Sequence, residues 1–202
     1  MYSTNGVIMS INVYEIARNS ELTGYIGQKL FDPWIGTPFQ GYRNLDNKQK
    51  GNYGEYLVEK FFLSYNRNVM PPLGTNAGHD RIVDGYLTEI KFSLAHTNHK
   101  KMCAKVDTFT MNHVSLGKDW ERLVFVGINP EPHPSYIKYM TKEDFTNLLE
   151  NDSTTFFQYF SRQQGGKNST NDDYISSEGK LRKLLQSEYM RDIGEWLNEP
   201  PR

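Results

Sequence analysis

Around residues 81 to 88 the chain carries four residues with strand character, Ile82, Val83, Tyr86 and Leu87, on either side of an Asp84-Gly85 pair. That pair is a strong short-range signal for a two-residue hairpin turn, so two strands are expected to pair across it. The turn sets the register. Val83 faces Tyr86, Ile82 faces Leu87, Arg81 faces Thr88 and Asp80 faces Glu89, with opposed Cβ atoms about 5 Å apart on one side of the sheet. Because strand side chains alternate, Lys91 shares the face of Asp80 and Glu89, while Ile90 and Phe92 point the other way into a core.

Elsewhere the apolar spacing predicts a layered fold. Leu57, Val58, Phe61 and Phe62 repeat at helical spacing within residues 51 to 64, with Asn52 as N-cap and Glu55 three residues on. Residues 11 to 31 read as one or two short helices, followed by a loop, DPWIGTPFQGY, with exposed aromatics. Residues 107 to 117 are expected to be helical, with Asp107 as cap or first-turn acid. Arg122 to Ile128 is a near-continuous apolar run typical of a buried central strand. Ser135 to Met140 alternates as a strand, and Thr141 caps a helix over TKEDFTNLLE. The segment 158 to 180 is too polar and glycine-rich to build core, and LRKLLQSEYMRDIGEWL closes the chain as a helix. The fold class is α/β, a central mixed β-sheet flanked by helices.

Two carboxylates set opposite each other destabilise a sheet unless a cation compensates them. Hard oxygen ligands favour Mg²⁺ or Mn²⁺, and Mg²⁺ commonly takes one or two carboxylates and fills its shell with water and phosphate oxygens. Lys91 beside Asp80 and Glu89 would neutralise excess charge and orient an attacking water, the chemistry of phosphodiester hydrolysis. The plainer alternative is a surface hairpin with an ordinary Glu89–Lys91 ion pair.

At these residues the chain resembles the PD-(D/E)XK nuclease superfamily: His79-Asp80 stands where Pro-Asp is usual, and Glu89-Ile90-Lys91 is the (D/E)XK element. The order of elements over roughly residues 45 to 130 looks like that of type II restriction endonucleases. LDNKQKGNYGEYLVEKFFL looks like the helix that carries an additional glutamate, and FTMNHVSLGKDWERLVFVGINP is similar to the helix and strand that follow the lysine. The resemblance implies a restriction-endonuclease-like core and Mg²⁺-dependent cleavage of double-stranded DNA at a short, palindromic site, with Mn²⁺ as a substitute ion. Asp80 and Glu89 would hold the metal, Glu55 would assist at it and Lys91 would activate the water. A homodimer and a separate cognate DNA methyltransferase are further expectations, the candidate dimer surfaces being the N-terminal helices and the Trp34 and Phe39 region, with packing of these aromatics under the loop as the alternative. A structure-selective or repair nuclease on the same core and a noncatalytic DNA-binding module are the alternatives.

With 202 residues the chain fits a single domain, comprising an N-terminal helical part (1–50), a catalytic core (51–150) and a recognition loop with C-terminal helix (151–202). The net charge of −1 gives no overall attraction to nucleic acid, so basic residues would have to cluster. Three runs offer this: Arg43 with Lys48 and Lys50, then His96 to Lys105, then Arg162 with Lys167. Arg162, Gln163, Gln164, Lys167, Asn168 and Asn171 are of the types that read base edges, which marks this loop as the candidate DNA-recognition element. Cys103 stands alone, which excludes an internal disulfide or cysteine-based zinc site and points to a reducing, cytoplasmic setting. The histidines are scattered; His96 and His99 read as surface residues and His113 as a packed helix histidine. No stretch is apolar enough to span a bilayer.

Overall fold

The structure, a computed structural model, describes residues 31–74, 77–163 and 172–202. The helices expected over residues 11 to 30 lie outside these. The central layer is a six-stranded mixed sheet containing β1 (Val69–Met70), β2 (Arg81–Val83), β3 (Tyr86–Leu94), β7 (Arg122–Ile128), β8 (Tyr136–Thr141) and β11 (Arg191–Asp192), in that spatial order. Only β3 and β7 run parallel; the other neighbours are antiparallel.

The hairpin forms in the expected register, Val83 opposite Tyr86, Ile82 opposite Leu87 and Arg81 opposite Thr88. Its turn needs positive φ at both central residues, and Asp84 (φ 51) and Gly85 (φ 85) supply it. The Asp84 carboxylate points inward, taking the Asn68 N–H at 3.0 Å and the Arg67 guanidinium at 2.7 Å, so the turn is anchored by a buried ion pair. The apolar run of β7 is buried on both faces, as befits a central strand.

One face of the sheet is covered by α1 (Asn47–Ser64), whose buried stripe is Gly54, Val58 and Phe62. A Cβ at Gly54 would stand 2.5 Å from that of Phe92, so a glycine here sets the close approach of helix and strand. Val58 and Phe62 join Ile90, Val124, Val126 and Trp196 in one core, each side chain contributing about 1.5–3 kcal/mol by leaving water. The N-cap is Asp46, in a reciprocal capping box with Gln49, and not Asn52. The helix therefore starts a full turn earlier than expected, and Glu55 lies well inside it.

The opposite face is covered by a three-stranded sheet, in the order β6 (Thr110–Ser115), β10 (Asp173–Ser177), β9 (Ser161–Arg162). The helix expected over residues 107 to 117 is thus a strand. A bulge explains the error: Tyr174 pairs with Val114 and Ser176 with Met111, so Asn112 and His113 together oppose Ile175. His113 takes φ 53, and the inward set Phe109, Met111, Val114 acquires a three-residue step that imitates a helix. Asp107 caps nothing; at φ 56 it exchanges hydrogen bonds with the Asn129 side chain. The described parts of the segment 158 to 180 also contribute to the core, since Phe160 and Tyr174 are buried.

A short hairpin of β4 (Thr97–Asn98) and β5 (Cys103–Ala104) projects beyond β3. Thr141 caps α2 (Lys142–Asn151) as expected, and α3 (Ser153–Tyr159) follows. The C-terminal helix is broken into α4 (Glu178–Leu185) and α5 (Ile193–Leu197), because Arg191 and Asp192 leave the helical path to pair with Tyr139 and Lys138 on β8. Trp34 is 2% exposed and belongs to the core with Phe39 packed on it, so these aromatics pack inward and do not stand exposed on the loop.

Candidate active site

Asp80 lies one residue before the ladder of β2. Its N–H donates to the Thr88 carbonyl at 2.9 Å and its Oδ2 accepts the Ile90 N–H at 2.7 Å. The backbone on both sides of Glu89 therefore holds Asp80, and the two carboxylates share one neighbourhood. Burial, and after it the charge of Glu89, pushes the Asp80 carboxyl up to about 6, against the pull of the Ile90 N–H and Lys91; the charge of Glu55 adds to the rise.

Glu89 is 1% exposed, in the middle of β3. Its Oε1 receives two ammonium groups, Lys91 at 2.7 Å and Lys118 at 2.8 Å, while its Oε2 is buried without a hydrogen-bond partner. Lys91 is on the face expected of it.

Lys118 was not foreseen. It stands in the turn between β6 and β7, and the parallel pairing of β7 with β3, Glu89 beside Leu123, carries that turn over the carboxylate. Burial alone would lower its pKa, but the charge and hydrogen bond of Glu89, with Asp80 and Asp173 behind them, raise it. Its backbone is clamped from several sides. The Lys142 ammonium bonds the Lys118 carbonyl, and neighbouring Asp119 takes His79 Nδ1 at 3.0 Å. A Cβ at Gly78 would stand 2.7 Å from the Asp119 nitrogen, so the two segments touch through a residue without a side chain. In the sequence, a Gly-Lys-Asp turn just ahead of a buried strand was the available signal, legible only with the parallel pairing in hand.

Glu55 belongs to a different cluster. Its Oε2 accepts from Arg81 Nη1 at 2.7 Å, and Arg81 Nε reaches Glu59 Oε2 at 3.0 Å. Arg81 lies on the α1 side of the sheet, so Glu55 reaches Asp80 through charge alone. Among the described residues no three His, Cys, Asp or Glu side chains converge as a metal cage.

Lys91 also lines a cleft of about 860 Å³. Arg43, Lys50, His96, His99 and His113 line it as well, with Tyr42 and Trp34, and no carboxylate is among the lining residues. Two of the three basic runs of the sequence thus meet there, and His96 and His99, expected to be idle surface residues, are wall residues. Burial, followed by the neighbouring Tyr53, pushes the Tyr42 phenol up to about 12, so it remains a hydrogen-bond donor at neutral pH.

Of the expected base-reading residues, Gln164, Lys167, Asn168 and Asn171 lie outside the described residues. Arg162 is exposed on β9. Gln163 is engaged with His113 at the cleft wall: its Oε1 accepts the His113 N–H at 3.0 Å and its Nε2 lies 3.1 Å from the ring Nε2. His113 is therefore a strand residue at the rim and not a packed helix histidine.

No known family profile matches the chain, and no curated protein matches it. Among solved structures, a bacterial homing endonuclease is similar, with 15% identity, coverage of 46% of this chain and 68% of that one, and a TM-score of 0.33. A superposition that loose carries no functional inference. The mixed α/β architecture stands on the chain's own strands and helices.

Asp80 and Glu89 fit a hard divalent ion: two carboxylates in one neighbourhood, one with a buried oxygen lacking any partner, match the one or two carboxylates that Mg²⁺ commonly takes. Among the described residues no helix is long and apolar enough to cross a membrane.

Proposed function

We propose that the protein is a Mg²⁺-dependent endonuclease of the type II restriction class, cleaving double-stranded DNA at a short specific site. The observation that carries the reading is the contact of Lys91 with Glu89 beside a cleft that Arg43, Lys50 and Lys91 line and no carboxylate does. A phosphodiester backbone is the polyanion such a lining suits. Asp80 and Glu89 would hold Mg²⁺, or Mn²⁺ in its place, and the bound ion would supply Lewis acidity at the scissile phosphate.

The chain's own residues would do the rest. Arg43, Lys50 and the cleft histidines would bind phosphates flanking the scissile one. Lys91, free to donate protons and not to accept them while charged, would orient the attacking water and stabilise charge on phosphate. Arg81 would hold Glu55 at a distance from which its charge acts on Asp80 without competing for the ion. Arg162 and Gln163, with the polar residues Gln164, Lys167, Asn168 and Asn171 that follow in the sequence, would read bases. Action as a homodimer would match a two-fold site, and a separate methyltransferase would protect the host DNA.

The test is incubation of the protein and of Lys91→Ala with unmethylated plasmid and phage DNA, in Mg²⁺ or in EDTA, with sequencing of the ends. Discrete Mg²⁺-dependent fragments that vanish in the variant are expected. Nicks or cuts confined to branched or mismatched DNA would replace the restriction reading with that of a repair nuclease. No cleavage of any substrate would sink the catalytic reading of Asp80, Glu89 and Lys91.

A further inference from the structure

Two ammonium groups meet Glu89 Oε1, and they are not equivalent. The Lys91 side chain is 16% exposed and rises from the middle of β3, whereas that of Lys118 is 38% exposed and rises from a turn. The turn itself is fixed, through His79 with Asp119 and through Lys142 with the Lys118 carbonyl, so the movable part of Lys118 is its four-carbon stem.

Asp80 and Glu89 balance Lys91 and Lys118, and Asp173 adds a further negative charge near Lys118. A divalent ion placed on Asp80 and Glu89 reverses that balance, and in a buried site the repulsion on a neighbouring ammonium is weakly screened. That repulsion favours withdrawal of one ammonium from Glu89. Lys91 rises from the middle of a strand and is the less exposed of the two, and Lys118 has solvent on one side.

We propose, resting on the reading of Asp80 and Glu89 as metal ligands, that Lys118 is a resident counter-cation of the site. In the metal-free protein it neutralises Glu89 and holds the empty site together. When a divalent ion is held there, Lys118 swings away and places its ammonium on a phosphate of the bound DNA. The ion and Lys118 thus compete for Glu89, while DNA and the ion reinforce each other through Lys118.

The experiment is calorimetric titration of Mn²⁺ into the metal-free full chain, as wild type, Lys118→Met, Lys118→Gln, Lys118→Arg and Asp80→Asn, beside binding of duplex DNA in Ca²⁺. Removing one competing charge should tighten Mn²⁺ binding about tenfold in Lys118→Met and Lys118→Gln, while Lys118→Arg stays near wild type. The same two neutral variants should bind DNA several-fold more weakly in Ca²⁺, although they hold the ion better. Unchanged or weaker Mn²⁺ binding, in whichever neutral variant keeps the wild-type circular dichroism spectrum, would overturn the competition. An Mn²⁺ affinity that Asp80→Asn leaves untouched would remove the metal site itself, a separate failure. No Mn²⁺ binding by any of the proteins would overturn both.

Discussion

The two faces of the Asp84-Gly85 hairpin carry opposite kinds of charge cluster. On the α1 side one cation, Arg81, sits between two carboxylates, Glu55 and Glu59, and its fork also reaches the Asp80 carbonyl at 2.7 Å. On the other side one carboxylate, Glu89, sits between two lysines, with an oxygen left unpartnered and Asp80 held largely out of water beside it. The Arg81 cluster is geometrically complete: a planar guanidinium meets its acceptors with fixed donors, and the partly exposed carboxylates keep access to water. In the Glu89 cluster the two ammonium groups both meet Oε1 and leave Oε2 buried without a partner, so its acceptors are only half satisfied.

The largest expected effect separates the clusters by activity. Glu89→Gln and Lys91→Ala should each lower Mg²⁺-dependent cleavage by about 100-fold or more, whereas Glu59→Gln should leave it within a few-fold, measured under single-turnover conditions with folding checked by circular dichroism. Loss of activity in Glu59→Gln equal to that in Glu89→Gln would erase the distinction.

Next, Arg81→Met should cost about 1–3 kcal/mol of stability in urea denaturation, because it strands two carboxylates that can only partly rehydrate. A neutral outcome would show that the Arg81 cluster holds nothing.

Asp80 sharpens the contrast through pH. Its folded-state pKa is raised to about 6, so its protonated form favours folding; that contribution is full below the unfolded value near 4 and is lost as pH rises through 6. In EDTA, wild-type stability should therefore fall over that window by about 3 kcal/mol relative to Asp80→Asn, which should be the more stable protein at pH 7. Identical pH dependence of the two proteins in chemical denaturation would contradict the buried, repelled carboxylate.

The smallest effect concerns the cleft. The double change Arg43→Ala with Lys50→Ala should reduce the dependence of log DNA affinity on log salt by about 2, with little change in cleavage of saturating DNA. An unaltered salt slope would place the DNA elsewhere.

The amino-acid sequence by itself determined the hairpin, its register and the common face of Glu89 and Lys91, because an Asp-Gly turn and period-two alternation are local rules that fix neighbours within about ten residues. It likewise determined the buried strand Arg122–Ile128 and the cap at Thr141. Tertiary structure decided the rest. The bulge at Asn112 and His113 turned an apparent helix into a strand because β10 offered a partner for its backbone, and pairing with β8 broke the last helix at Arg191 and Asp192. Parallel pairing of β3 with β7 brought Lys118 to Glu89 from 29 residues away, and Arg81 drew Glu55 from 26 residues away into its own cluster. Such partners are set by which surfaces pack together, and no spacing along the chain encodes that choice.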